Sequence, residues 1–242
     1  MDWWIQWFGN AQQRLFEGVV QPLLFGLGQA SLLEDAYGAT GWLLVGLLQI
    51  FIMVAVIAPL QYWRPVEPVT DRRAIHVDII YTVVHRLGLF RLALFFTLDP
   101  LWDELMGRLH VWGLPSFHLD GVWPGVTDLA WVSLIIYLLA FDFLDYWIHR
   151  GQHSIGWWWK LHALHHSQRQ MTVWSDNRNH LLDDVIRDTI IVLVAQLIGV
   201  APGQFVAIVA FTQLSESFQH ANLRVWFGTC LLYTSPSPRD RG

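Results

Sequence analysis

The chain has 242 residues, with 15 Lys and Arg against 20 Asp and Glu, which gives a net charge of −5 when the histidines are neutral. Hydrophobic residues make up 54% and charged residues only 14%, whereas a soluble domain has about 25% charged residues. These values exclude a disordered chain, a coiled coil and a disulfide scaffold, and they argue against nucleic acid as a partner because the basic surface that binds phosphate is lacking. The 15 Trp residues favour an integral membrane protein, since Trp concentrates at membrane–water interfaces.

The N-terminal segment, residues 1–40, is predicted to lie at the membrane interface. Its apolar residues recur at helical spacing, as expected of an amphipathic helix in the interface plane. They are Trp4, Trp7, Phe8, Ala11 and Leu15. A membrane-embedded domain is predicted to follow over residues 41–229.

Four apolar segments predict about four transmembrane or re-entrant helices, so the predicted fold class is an all-α integral membrane protein. They cover residues 41–63, 79–98, 129–148 and 189–214. The first carries no charge. The second contains His85, Arg86 and Arg91, whose charges should face protein or lie near the end of a span.

The fourth segment is interrupted by Gly199, Pro202 and Gly203, which favours a hairpin over a single span. Each arm would have roughly 11 to 13 residues, which is short of the 17–25 that a span needs. A hairpin also returns His220 to the side from which the segment starts.

Charge sets the predicted orientation. Segment 64–78 carries three arginines and segment 149–188 carries four together with Lys160, while segment 99–128 holds one Arg and five acids. The positive-inside rule therefore places the first two segments on the cytoplasmic side and the third on the opposite side.

Five histidines between residues 149 and 166 form two groups with helical spacing. His149 and His153 are four residues apart, and His162, His165 and His166 follow at three and four. On helices each group faces one way, so two such faces can enclose a metal site on the cytoplasmic side. No Cys lies nearby, and imidazole suits zinc, copper, iron and nickel, so the residues alone leave the metal open.

Further candidate residues flank the two groups. His180 and His220 are candidate ligands. Asp142 and Asp145 share a helical stripe with His149, and Asp145 is predicted to hydrogen-bond to that ring and orient it. Asp142 is a candidate ligand, orienting group or member of a proton path.

The string over residues 142–166, DFLDYWIHRGQHSIGWWWKLHALHH, resembles the fatty acid hydroxylase superfamily, also called the sterol desaturase family. The matching features are D-x-x-x-x-W-x-H-R-x-x-H and then L-H-x-x-H-H after a Trp-rich turn. The segments SDNRNHLLDD and QHANL also look like the bacterial members.

This resemblance implies a multi-pass enzyme of the cell membrane that hydroxylates or desaturates a C–H bond of a lipid, such as a sterol, a fatty acyl chain or a carotenoid. It implies two iron ions (Fe2+/Fe3+) and O2. The first histidine box corresponds to His149 and His153, the second to His162, His165 and His166, and His220 to a further histidine. A separate electron donor of the ferredoxin or cytochrome b5 type is implied, because the chain has no flavin or nicotinamide fingerprint.

Residues 230–242, CLLYTSPSPRDRG, read like the translation of a sequencing adaptor and are set apart as an artefact. The family also has a third box, of H-x-x-H-H type, which this sequence lacks. We therefore expect the source gene to continue past Thr229 and the chain as given to be inactive.

Three other functions are weighed beside the oxygenase. A membrane b-type haem protein would use the spacing of 13 residues between His149 and His162 and between His153 and His166. A non-catalytic, histidine-rich metal-binding or transport protein would bind metal without converting a substrate. A zinc lipid hydrolase would need only three protein ligands and a carboxylate base.

Overall fold

The computed structural model describes residues 2–224 apart from residues 71 and 116, and within this part every regular element is helical. The predicted all-α fold is therefore confirmed. The segment set apart as an artefact, residues 230–242, lies outside the described residues. The helices are α1 (Asp2–Leu15), α2 (Gln21–Gly26), α3 (Leu33–Ile52), α4 (Ala58–Trp63), α5 (Arg72–Arg86), α6 (Leu89–Thr97), α7 (Asp99–Val111), α8 (Ala130–Ser154), α9 (Gly156–His162), α10 (Leu181–Leu197) and α11 (Pro202–His220).

Two helical stretches are long and apolar enough to cross a membrane, Ala30–Trp63 and Ala130–Ser154. The first runs from α3 through a π-helical turn, Met53–Ile57, into α4. These stretches contain the predicted segment 41–63 and nearly all of segment 129–148. The N-terminal segment is helical as predicted, and its place at the membrane interface stays a prediction.

The second predicted segment, 79–98, is not one helix. α5 ends at Arg86 and α6 begins at Leu89, and between them Gly88 adopts a left-handed backbone with φ of 73°. Glycine allows this conformation without the steric cost that other residues incur, so the helix stops here. The segment is therefore two helices. A single glycine within an apolar run gave no sign of the break, and the passage of the segment through the membrane stays a prediction.

The predicted hairpin in the fourth segment is present. α10 and α11 are joined by a turn in which Gly199 has φ of 68°, and the Tyr137 hydroxyl of α8 donates to the carbonyl oxygens of Ile198 and Gly199, each at 3.3 Å. The arms have 17 and 19 residues and are longer than predicted, because polar residues before and after the apolar block also join the helices.

A buried ion-pair network fixes α5 against α11 and the loop before α10. The Arg86 guanidinium, 1% exposed, binds Asp176 at 2.8 Å, Ser217 at 2.7 Å and the Gln213 side-chain oxygen at 2.7 Å. The charge of Arg86 therefore faces protein, as the sequence analysis predicted. Removing one partner of such a buried pair costs about 3–5 kcal/mol.

The two arginine-bearing segments lie at one end of the bundle. The Asn222 side chain accepts from the backbone N–H groups of Val66 and Glu67, each at 3.0 Å, and Gln170 accepts from the N–H of Thr70 at 3.0 Å. At the other end, a Cβ on Gly199 would overlap the Phe117 carbonyl, so segment 99–128 lies against the hairpin turn. This arrangement agrees with the predicted sidedness, and the assignment of the cytoplasmic side stays a prediction.

The closest approach between α3 and α5 generates a stability prediction. A Cβ on Gly46 would overlap the backbone carbonyl oxygen of Arg86, whereas Gly38 in the same helix has open space around it. We expect Gly46→Ala to destabilise the bundle by about 1–3 kcal/mol, as overpacking does. Gly38→Ala should instead stabilise α3 by about 0.5–1 kcal/mol, because alanine loses less entropy in a helix. Thermal unfolding in detergent, followed by circular dichroism, measures both, and equal melting temperatures would contradict the predicted contact.

Candidate metal centre

The histidine groups meet at a corner between two helices. α8 carries His149 and His153 at its C-terminal end, the backbone turns at Ile155 with φ of −95° and ψ of 113°, and α9 begins at Gly156. α9 ends at His162, and a single 3-10 turn, His165–Ser167, follows. The sharp turn folds the second group back onto the first.

Close packing of a tryptophan on a glycine builds this corner. A Cβ on Gly151 would lie 2.9 Å from Cζ3 of Trp158, so the indole ring rests directly on the α8 backbone. A larger residue at position 151 would push α9 away from α8. The glycine of HRGQH and the central tryptophan of the WWW run are therefore parts of one contact.

Four imidazoles converge through their Nε2 atoms. The Nε2 of His153 lies 3.1 Å from that of His149, and the Nε2 of His166 lies 3.1 Å from that of His153 and 3.2 Å from that of His162. The potential ligand atoms of all four histidines lie within 4.8 Å of one another. His149 is exposed, His153 and His166 are half-buried, and His162 is buried.

This spacing fits a metal ion. Nitrogens that bind a tetrahedral ion at about 2.0–2.1 Å lie roughly 3.3 Å apart, close to the distances between the Nε2 atoms here. Imidazole is a good ligand for iron and zinc, and the described residues contribute no sulfur atom to the cluster. The predicted meeting of His149, His153, His162 and His166 is thus realised in the fold.

A carboxylate that sequence analysis missed orients the cluster. Asp183 of α10 accepts from Nδ1 of His162 at 3.0 Å, from Nε2 of Gln152 at 2.9 Å and from Nε1 of Trp158 at 2.7 Å. With its proton on Nδ1, His162 presents a lone pair on Nε2 to the other histidines. Burial alone would raise the pKa of Asp183, but these three hydrogen bonds outweigh it and hold that pKa below its usual value.

His165 and His220 form a second pair beside the four. Their ring centroids lie 5.2 Å apart, and the His165 ring also stacks on His162 at 5.2 Å. Nδ1 of His220 donates to the Glu216 carbonyl oxygen at 2.8 Å, which leaves Nε2 as its ligand atom. Nδ1 of His165 is buried and has no hydrogen-bond partner among the described residues, as expected of an atom reserved for a ligand.

The remaining candidate residues lie outside these two groups. His180 is exposed and caps α10, where its Nδ1 accepts from the Leu182 N–H at 3.2 Å. Asp142 is exposed on α8. Asp145 does not form the predicted hydrogen bond to His149, because Arg187 of α10 holds its carboxylate at 3.2 Å and is itself bound to Glu216 at 2.6 Å.

A cavity of about 120 Å³ lies inside the bundle among α3, α5, α8, α10 and α11. Asp145, Arg187 and Glu216 line one part of its wall, and aromatic residues such as Phe141 and Phe205 line another. Asp145 precedes His149 by one helical turn, and Glu216 precedes His220 by one turn. The wall of the cavity therefore includes a residue one helical turn before a histidine of each group, while the histidines of the two groups are not among its lining residues.

Comparison with known proteins finds a matching family and similar sequences. Residues 134–240 match the family model described as fatty acid hydroxylase. The ornithine lipid hydroxylase OlsE of Rhizobium tropici is 25% identical over 186 residues, which are 76% of this chain and 54% of that protein. Methylsterol monooxygenase 1-3 of Arabidopsis thaliana is 30% identical over 67 residues, which are 26% of this chain and 23% of that protein. The chain spans about half the length of the first relative and less of the second, and no solved structure shows a significant match.

The Asp183 contacts predict a selective effect on metal binding. Asp183→Asn should weaken metal affinity about 10–100-fold, as loss of a carboxylate that orients a ligand typically does. The matched control is Asp184→Asn, because the neighbouring carboxylate faces His85 at 3.4 Å instead. Titration of the metal-free protein with Fe2+ under anaerobic conditions compares the two variants. Equal metal affinities in the two variants would show that Asp183 does not orient a metal ligand.

The burial of His165 predicts a pH effect on the metal-free protein. Burial, reinforced by the neighbouring His220 and His162, holds the pKa of His165 well below the usual histidine value of about 6.5. The unfolded chain therefore binds more protons than the folded chain below about pH 6.5, so the free energy of unfolding should fall as the pH falls through this range. His165→Gln should flatten this dependence, and His110→Gln, which replaces an exposed histidine of α7, is the matched control. Unfolding measured at several pH values in the presence of a chelator gives the slope, and equal slopes in both variants would contradict the assignment.

Proposed function

The chain carries a domain of the fatty acid hydroxylase family, as its histidine boxes predict, and from this premise we propose that it is a membrane di-iron oxygenase acting on a lipid. The observation that carries the proposal is the convergence of four Nε2 atoms at the corner between α8 and α9. The curated relatives are by their names a lipid hydroxylase and a sterol monooxygenase, which supports hydroxylation over other metal chemistry.

The two histidine groups have separate roles in this proposal. His149, His153, His162 and His166 would hold one iron, and His165 and His220 would contribute to the second. His180 can offer its Nε2, since only its Nδ1 is used in capping α10. When bound, iron supplies the activation of O2 that insertion of oxygen into an unactivated C–H bond requires. Asp183 keeps the ligand atom of His162 directed at the centre throughout.

The substrate and the electrons come from outside the chain. The substrate is a lipid that reaches the centre from the bilayer, and the two relatives point to a lipid with an amino-acid headgroup or a sterol as the first compounds to test. Electrons come from a ferredoxin or cytochrome b5 type protein on the cytoplasmic side. Asp142 and Asp145 are proposed to be catalytic groups on the path by which protons reach the metal centre. Asp145 would act there through its ion pair with Arg187.

Ligand number supports the further proposal that the chain as given does not turn over. The two boxes with His180 and His220 supply seven candidate histidines. Two octahedral irons that keep room for O2 need about four or five protein ligands each. We propose that the missing ligands belong to a third histidine box encoded past Thr229.

The geometry disfavours the haem and zinc alternatives. A haem needs two opposed imidazoles with a porphyrin plane between them, whereas these rings converge and contact one another, with His149 and His162 centroids at 5.1 Å. A catalytic zinc keeps one position open beside three protein ligands, whereas four imidazoles converge here. Asp183 is the carboxylate that hydrogen-bonds to the histidine cluster. Because it accepts from His162, it is not free to act as the general base that a zinc hydrolase needs.

Iron binding tests the proposal in the chain as given. Protein purified from membranes and loaded with Fe2+ should hold iron at the four-histidine group, with no absorbance band of haem. His149→Ala and His166→Ala should each remove it, since each deletes one of the four converging ligands. His110→Ala, an exposed histidine of α7, is the matched control and should keep wild-type iron content by elemental analysis. Unchanged iron content in both histidine variants would show that the four-histidine group is not the iron site.

Turnover is tested with the gene product read past Thr229. Cells that express it with a donor system should contain a lipid that has gained one oxygen atom, detected by mass spectrometry, and His149→Ala should abolish that product. Bound iron without a new lipid product would favour the non-catalytic metal-binding protein instead.

A further inference from the structure

Each candidate span has a tryptophan at or near one end that contacts an arginine. At the end of Ala30–Trp63, the Arg64 guanidinium lies 4.7 Å from the ring centroid of Trp63. Near the end of Ala130–Ser154, the Arg150 guanidinium lies 5.7 Å from the ring centroid of Trp147, and its Nη1 donates to the Tyr146 hydroxyl at 3.0 Å. These contacts hold each cation against an aromatic face and leave most of its N–H donors free.

A continuous apolar ridge on α8 leads to the second of these arginines. Five large residues repeat at intervals of four, and each is between 49% and 67% exposed. They are Trp131, Ile135, Leu139, Phe143 and Trp147. The two tryptophans stand about 24 Å apart along the helix, close to the roughly 30 Å hydrocarbon thickness of a bilayer. The ridge is therefore long enough to cover most of the hydrocarbon layer, with a tryptophan at each end.

The two arginines lie at the same end of the bundle as the histidines. The Arg64 carbonyl accepts from the Arg224 N–H at 2.8 Å, four residues beyond His220. Arg150 directly follows His149. Both side chains are exposed, and the arginine–carboxylate ion pairs within the described part of the chain involve neither of them. Two guanidinium groups without a carboxylate partner, each beside a tryptophan, are complementary to an anionic surface.

We propose that Arg64 and Arg150 bind the phosphate groups of anionic phospholipids at the end of the bundle that carries the histidines. Each guanidinium can donate two parallel hydrogen bonds to a phosphate, while the adjacent tryptophan lies at the boundary between headgroups and acyl chains. This site is separate from the metal ligands and from the lipid that reacts. It fixes the depth at which the corner between α8 and α9 sits in the membrane.

Native mass spectrometry of the whole chain in detergent tests this proposal. The protein is offered equimolar phosphatidylglycerol and phosphatidylcholine with identical acyl chains, and the ratio of bound lipids is measured. The wild type should prefer phosphatidylglycerol. Arg64→Ala and Arg150→Ala should each lower that preference about fivefold, as expected for one basic residue near an anionic surface. Arg150→Lys should keep most of it, because the charge remains.

The matched control is Arg108→Ala in α7, an exposed arginine that is paired with Glu104 and lies in segment 99–128. It should leave the lipid ratio unchanged. A wild-type ratio in the Arg64→Ala/Arg150→Ala double variant would overturn the proposal. The proposal would also be overturned if the variants kept the wild-type lipid ratio but lost binding to an acidic ferredoxin. The arginines would then serve to dock a protein. The measurement needs neither metal nor turnover, so it stands or falls independently of the proposed enzyme activity.

Discussion

One carboxylate joins the three helices that form the metal centre. Asp183 extends from α10 and accepts hydrogen bonds from Gln152 of α8 and from Trp158 and His162 of α9. Each donor is buried, so losing the carboxylate would leave three polar groups without a partner at once. The position of α9, and with it the second histidine group, therefore depends on a residue that binds no metal itself.

The bundle places its charges inside and its large apolar side chains outside. Asp78, Arg86 and Asp176 are almost fully buried, whereas apolar residues of α3 and α8 such as Phe51 and Leu139 are more than half exposed. In water this distribution would be unfavourable, because buried ions lose hydration and exposed apolar area is not removed from solvent. It suits a bilayer, where lipid covers the apolar surface and the ion pairs of Arg86 with Asp176 and of Asp78 with Arg178 hold the interior together.

The periodicity of the sequence was sufficient to predict the features that depend on neighbouring residues along the chain. The spacing of His149 and His153, and of His162 and His166, predicted which atoms converge, because three or four residues make one helical turn. The cluster of Gly199, Pro202 and Gly203 likewise predicted the hairpin, because these residues interrupt a helix locally. Apart from the break at Gly88, the features that the sequence did not reveal depend on distant partners.

Asp145 was assigned to His149 because they are one turn apart, but Arg187, more than forty residues later, holds it. Asp183 was missed for the same reason, since nothing near it in sequence shows that α10 packs against the corner between α8 and α9. An acidic pair at the start of an apolar helix was the available signal, and it fits helix capping equally well. Long-range contacts decided both cases.

The contact between Gly151 and Trp158 separates the residues that shape the metal centre from those that bind in it. The corner is held by an indole ring packed on backbone and by the hydrogen bond from that ring to Asp183, and neither contact uses an atom of a histidine ring. In small zinc domains, by contrast, metal binding supplies the folding free energy. A substitution of His149 or His166 therefore removes a ligand without removing the contacts that fold α9 back onto α8.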